Sequence, residues 1–127
     1  MSTGIRILLV EDNEVYRGSL ELLLGMQDGI DVVGAVADGS AAATACASCA
    51  ADVVLMDLRL PGLDGPAATA AVLEACPGAA VLCLTAEATA DEEAAMLAAG
   101  ASGMVRKGDP VEQLVVAVRA AAAGKRA

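Results

Sequence analysis

Five side chains in this sequence have the types and the grouping for chemistry on a phosphoryl group. Glu11 and Asp12 form an acidic pair after the apolar run ILLV, Asp57 ends the run VVLM, Thr85 follows VLCL, and Lys107 follows GMVR. Singly, each has an ordinary explanation. Asp12 or Asn13 can cap a helix, Thr85 is a common β-branched strand residue, and a lone lysine is usually solvated. Together they form a coherent set. Crowded carboxylates repel one another unless a cation neutralises them, and a hard divalent ion with oxygen ligands does so naturally. Mg²⁺ fits this role, because it takes one or two carboxylates, keeps several waters and leaves positions for phosphate oxygens. Lys107 and the Thr85 hydroxyl then hold the other phosphoryl oxygens, supplying the positioning and charge neutralisation that phosphoryl transfer requires. In that scheme Asp57 is the nucleophile, since a carboxylate can form an aspartyl phosphate.

These residues work together only if the fold brings them to one place. Five apolar runs alternate with five longer segments of helical period, the pattern of a parallel sheet with crossover helices. Strands are expected near 5–10, 31–37, 53–57, 79–85 and 102–106, and helices near 14–27, 39–49, 65–75, 90–99 and 110–123. A (βα)₅ chain of this kind forms a doubly wound α/β sheet of flavodoxin-like order 2-1-3-4-5, with its site at the carboxyl ends of the strands beside the switch between strands 1 and 3. Glu11-Asp12, Asp57, Thr85 and Lys107 stand at the carboxyl ends of strands 1, 3, 4 and 5. Strand 2 exits into Ala37-Asp38-Gly39, which is assigned no role. In helix 1, Val15, Leu20, Leu22, Leu23 and Met26 are expected to face the core, with Glu14, Arg17 and Glu21 on the wet side. In helix 5, Val111, Leu114, Val115 and Val118 make the core stripe and leave Val116 outside it.

Composition narrows the function further. The chain has 127 residues, enough for one domain, and is 57% hydrophobic with Tyr16 as its one aromatic residue, so stacking platforms for bases or a flavin are absent. A formal net charge of −9 with no histidine argues against nucleic-acid binding by this segment. No apolar stretch approaches the ~18 uncharged residues a membrane helix needs, and Met1 to Val10 does not have the form of a signal peptide, so a cytoplasmic location is expected. Four cysteines include one C-x-x-C, Cys46-Ala47-Ser48-Cys49. It falls inside an Ala-rich helical segment, and neither a second C-x-x-C nor a histidine supplies further zinc ligands, so buried thiols acting as small hydrophobes are expected.

The stretches LLVEDN, VVLMDLRLPGLDG, VLCLTA and ASGMVRKGD together resemble the receiver domain of two-component response regulators, over nearly the whole chain. DLRLPGLDG followed by EQLVVAVRAAAAG looks most like the NarL/FixJ (LuxR-type) subfamily. The resemblance implies a phosphorylation-activated switch in which Asp57 accepts a phosphoryl group from a sensor histidine kinase. Asp12, Asp57 and the backbone carbonyl of Arg59 would bind Mg²⁺, with Glu11 acting through metal-bound water. Lys107 would pair with the phosphate and Thr85 would move toward it. Such a domain is not an enzyme beyond its own phosphorylation and dephosphorylation. The expected receiver covers 1–124, with 125–127 beginning a linker. The chain is then an excised domain lacking its DNA-binding output domain, or a stand-alone receiver, and homodimerisation on phosphorylation through helix 4, strand 5 and helix 5, or through helices 1 and 5, is a further expectation.

Two features depart from or qualify that pattern. The family usually carries an aromatic residue three positions before the lysine, where this chain has Met104, so rotation of a ring cannot report phosphorylation. Arg59 and Glu87 lie two residues after Asp57 and Thr85, at positions that gate water in the resembled family, and their opposite charges are expected to face each other across the site. Two rivals share parts of the pattern. A haloacid-dehalogenase-like phosphatase needs a second acid where Arg59 stands, and a flavodoxin-like cofactor carrier needs a Ser/Thr/Gly-rich first loop where Glu11-Asp12-Asn13 stands.

Overall fold

The structure, a computed structural model, describes residues 4–126. The strands are β1 (Ile5–Val10), β2 (Ile30–Val36), β3 (Val53–Asp57), β4 (Ala80–Thr85) and β5 (Gly103–Arg106). The helices are α1 (Glu14–Gly25), α2 (Ala42–Cys49), α3 (Gly65–Ala75), α4 (Ala90–Ala99) and α5 (Val111–Arg126). All strand pairs are parallel and the order is β2-β1-β3-β4-β5, as expected from the βα alternation. Every residue of β3 and β4 is buried, which explains their unbroken apolar runs: helices cover both faces of these inner strands.

Alternation along the strands divides the core in two. Leu8, Val10, Val54, Met56, Val81 and Cys83 face one layer with α2, α3 and α4. Ile7, Leu9, Val53, Leu55, Leu82 and Leu84 face the other, against Leu20 and Leu24 of α1 and Leu114, Val115 and Val118 of α5. Cys46 and Cys83 are buried, Cys49 and Cys76 half-buried, and all four thiols are free. Burial pushes both Cys46 and Cys83 up to about 12, as inert core thiols should be.

The helix caps fix the loops that carry the site. Asn13 Oδ1 accepts from Tyr16 N at 2.9 Å and starts α1. Asp64 Oδ1 accepts from Ala67 N at 3.0 Å and starts α3, and Thr89 and Glu92 form a reciprocal capping box at the head of α4. The loop after β3 is also held from the side. Gly39 N donates to Pro61 O at 3.0 Å, and a methyl group at Gly39 would overlap the Leu63 carbonyl. Gly62, at φ +78°, lies against the Asp38 carboxylate, where a side chain would suffer both strain and collision. Asp38 is therefore not idle: its Oδ1 caps a 3₁₀ turn (Gly39–Ala41) by accepting from Ser40 N at 2.7 Å.

The expected segments agree with the observed ones to within a few residues. The helix expected over 39–49 opens with that 3₁₀ turn, and α5 runs through Arg126, so the linker expected at 125–127 begins inside a helix; residues 1–3 of the expected receiver and Ala127 lie outside the described residues. The main correction concerns α1. Of its expected core stripe only Leu20 is buried, whereas Val15, Leu22 and Met26 are 80%, 68% and 71% exposed and Leu23 is also exposed. The true stripe is Tyr16, Leu20 and Leu24, at i, i+4 and i+8.

This pattern separates neighbouring leucines energetically. Leu24→Ala is expected to cost about 2–5 kcal/mol by leaving a cavity, whereas Leu22→Ala should stay within about 0.5 kcal/mol of the parent in urea unfolding. Equal losses would return Leu22 to the core.

Candidate functional site

The carboxyl ends of β1 and β3 are neighbours in the sheet, and this adjacency creates the site. Glu11 directly follows β1 and is completely buried; its backbone N donates to Val36 O at 3.0 Å, and its Oε2 accepts from Asn13 N at 2.9 Å. Arg17 Nη1 reaches back from α1 to the Glu11 carbonyl at 2.7 Å. Asp12 is exposed at the rim. Asp57, the last residue of β3, is 6% exposed. One carboxylate oxygen from each of Glu11, Asp12 and Asp57 lies within 4.8 Å of the others, the one such acid, cysteine or histidine cluster among the described residues.

Lys107 reaches this cluster from the end of β5. Its Nζ stands 2.6 Å from Glu11 Oε1 and 3.2 Å from Asp57 Oδ2. At 2.6 Å the Glu11 Oε1–Lys107 Nζ contact is a close, charge-assisted pair in a site where Glu11 is fully buried. Burial is the largest influence on both charges, yet both are raised. Burial lifts the Glu11 carboxyl above its ordinary value, and the Asp57 charge adds to this against the opposing pull of Lys107. For Lys107 burial acts downward, but the Glu11 and Asp57 carboxylates together outweigh it and favour the ammonium. Three carboxylates facing one ammonium leave surplus negative charge. The oxygen donor set and the charge imbalance suit a hard cation.

Thr85, 6% exposed, completes the floor, and its carbonyl accepts from Lys107 N at 3.0 Å. Its Oγ1 donates to the Glu87 carbonyl at 2.7 Å. The expected Arg59–Glu87 charge pair is not formed. Arg59 Nη1 donates to that same Glu87 carbonyl at 2.9 Å, while Nη2 pairs with the Glu92 carboxylate at 2.9 Å. Glu92 wins because it is already held at the α4 capping box, its Oε1 accepting from Thr89 N at 3.0 Å, while the Glu87 side chain stays exposed. Met104, half-buried in β5, lines a cleft of about 590 Å³ beside Thr85, Arg59 and Glu92.

The structure thus brings Glu11, Asp12, Asp57, Thr85 and Lys107 to one sheet edge. Sequence reasoning missed three participants. Glu92 was legible as the fourth residue of the capping box Thr89-x-x-Glu92. Tyr16 was legible as the one aromatic residue, three positions after the Asn13 cap; its ring centroid lies 5.0 Å from Lys107 Nζ. No signal marked Arg17, whose bond to a backbone carbonyl depends on the tertiary fold.

The geometry agrees with comparisons to known proteins. Residues 7–119 match the family model described as the response regulator receiver domain. The response regulator UvrY of Escherichia coli K12 is 34% identical over 122 residues, which span 96% of this chain and 56% of that relative. The chain thus spans little more than half the length of the relatives of this type. The receiver domain of the putative response regulator NarL from Mycobacterium tuberculosis superposes with a TM-score of 0.90 at 30% identity, covering 95% of this chain and 98% of that one. The receiver domain of the sensor histidine kinase PA1611 from Pseudomonas aeruginosa PAO1, whose structure holds a magnesium ion in the active-site cleft, gives 0.83 at 33% identity, covering 94% and 98%.

A pH dependence follows from Glu11. Because its carboxyl is raised above the ordinary 4.5, the native state keeps a proton there at pH values where the unfolded chain has released it. Stability falls as the pH rises from 4.5 through the raised native value, and stays lower above it. In EDTA, Glu11→Gln should therefore melt above the parent at pH 7, and the two should converge toward pH 4.5 by calorimetry. A Gln variant that melts lower at pH 7 would contradict this.

Proposed function

The chain belongs to the response regulator receiver domain family, and on that premise we propose that Asp57 is the phosphoacceptor of a switch charged by a sensor histidine kinase. The observation that carries this reading is the convergence on Asp57 of Lys107 Nζ, at 3.2 Å, and of the Glu11 and Asp12 carboxylates. An Asp57 carboxylate oxygen attacks the phosphorus of a phosphohistidine or an acyl phosphate. The bond from phosphorus to the donor breaks, its electron pair leaves with the donor, and an aspartyl phosphate remains. Water later cleaves that bond, so the chain consumes no external substrate beyond its own charging.

Asp12, Asp57 and the Arg59 carbonyl are the proposed Mg²⁺ ligands, with Glu11 behind them. When bound, Mg²⁺ neutralises the carboxylates and the phosphoryl oxygens. The magnesium held by the PA1611 receiver supports this choice. Lys107 is already stationed between Glu11 and Asp57, so it can follow the charge onto the phosphoryl oxygens with little movement. Thr85 has one hydroxyl proton, now given to the Glu87 carbonyl. Turning it to a phosphoryl oxygen releases that carbonyl and loosens the β4–α4 loop. Phosphorylation in this way biases a two-state equilibrium, and reversing a mostly inactive population needs roughly 5 kcal/mol.

The output in the whole protein is proposed to be a DNA-binding domain of the LuxR type, acting in the cytoplasm, while this acidic domain itself binds neither nucleic acid nor membrane. No helix among the described residues is long and apolar enough to cross a membrane. Self-association on phosphorylation is proposed to use the α1 side, because Val15, Leu22, Leu23 and Met26 are exposed there, against Leu97 on α4 and Val116 on α5.

The central test is intact-mass analysis after incubation with an acyl phosphate and Mg²⁺. One phosphoryl adduct is expected, absent in EDTA and absent in Asp57→Asn; an unchanged adduct in the variant would sink the assignment. A second test concerns lifetime. The Arg59–Glu92 pair is largely exposed and screened by solvent, so Arg59→Ala and Glu92→Gln should each speed loss of phosphate by at most about fivefold, without adding in the double variant. Glu87→Ala should change nothing, since only its backbone carbonyl is engaged; a Glu87 effect equal to that of Arg59 would restore the side-chain pairing.

A further inference from the structure

We propose that Tyr16 is a positioning residue that holds the Lys107 ammonium over Asp57. The inference rests on the reading of Asp57 as phosphoacceptor, but its geometry is separate. Lys107 follows a four-residue edge strand, and its flexible four-carbon stem is otherwise directed only by the carboxylates it must leave when charge moves to a phosphoryl group. Tyr16 meets it at both ends. The ring centroid is 5.0 Å from Nζ, and the phenol O–H donates to the Lys107 carbonyl at 3.4 Å. The ring is itself fixed. Its backbone N–H is the group capped by Asn13, and its half-buried body packs with Leu20 and Leu24 in the α1–α5 core layer. The chain has no Phe and no Trp, so no other aromatic face can substitute.

A cation over an aromatic face in a partly enclosed site is held both by the ring quadrupole and by the shape of the wall. That attraction does not depend on the carboxylates, so it persists when Asp57 carries a phosphoryl group. Tyr16 touches no reacting atom in this scheme. It acts through Lys107.

The test compares Tyr16→Met, which fills similar space without a π face, with Tyr16→Phe, which keeps the ring; Tyr16→Leu is the alternative if the methionine variant does not fold. Three readouts are taken on the full chain. In the metal-free protein, the Lys107 side-chain methylene protons should show an upfield ring-current shift in the parent and Tyr16→Phe and lose it in Tyr16→Met. Mg²⁺ affinity by calorimetry should be unchanged or tighter in Tyr16→Met, because a displaced Lys107 no longer competes for the carboxylates. Phosphorylation of Asp57 by an acyl phosphate should slow by about fivefold in Tyr16→Met and by less than about twofold in Tyr16→Phe. Parallel loss of Mg²⁺ affinity and rate would show general loosening and overturn the proposal, as would an unaltered Lys107 spectrum. Absence of any adduct in the parent would instead count against Asp57 as phosphoacceptor, with the spectral and Mg²⁺ readouts still deciding the role of Tyr16.

Discussion

Like-charge repulsion at the ends of two adjacent strands governs the arrangement of this molecule. Glu11 and Asp57 are brought together by the β1–β3 pairing, and they are tolerable as neighbours because Lys107 Nζ stands between them, 2.6 Å from one and 3.2 Å from the other. The surrounding polar groups serve that balance. Asn13 N donates to Glu11 Oε2, the oxygen not paired with Lys107, Arg17 fixes its backbone, and the strand register places Lys107 beside Thr85. A carboxylate as enclosed as Glu11 is ordinarily costly, and here it lies in the one acid cluster among the described residues whose oxygens suit a hard cation.

From this centre a short chain of bonds leads outward. The Glu87 carbonyl accepts from both Thr85 Oγ1 and Arg59 Nη1, and Arg59 continues to Glu92 in the first turn of α4. The loop after Asp57 and the loop after Thr85 thus share one acceptor atom, so a change at either is felt at the head of α4. Met104 lines the same cleft, where a flexible thioether can repack as the loops adjust.

The sheet order and the grouping of the five residues were legible because they follow from period and position: apolar runs, fully buried in β3 and β4, that end in a residue whose type breaks the pattern. The face of α1 was not. Its sequence, EVYRGSLELLLG, spreads apolar residues over about half the helix, wider than one stripe, and only packing of Leu20 and Leu24 in the layer with β1, β3 and α5 selects the buried part. The partner of Arg59 was lost for a different reason. Matching offsets, two residues after Asp57 and two after Thr85, favoured Glu87, but a long guanidinium chooses the carboxylate that is already held, and Glu92 is held by its helix cap. The contact of Arg17 with a backbone carbonyl has no residue-type signature at all.

Having Tyr16 as the one aromatic side chain also has an optical consequence. All near-ultraviolet absorption and intrinsic emission of the folded chain, apart from weak thiol absorption, originates in a single ring whose centre is 5.0 Å from the ammonium at the heart of the site. A spectrum that in most proteins averages over many chromophores is here a local instrument, reading the electrostatic state beside Asp57 rather than the integrity of the whole fold.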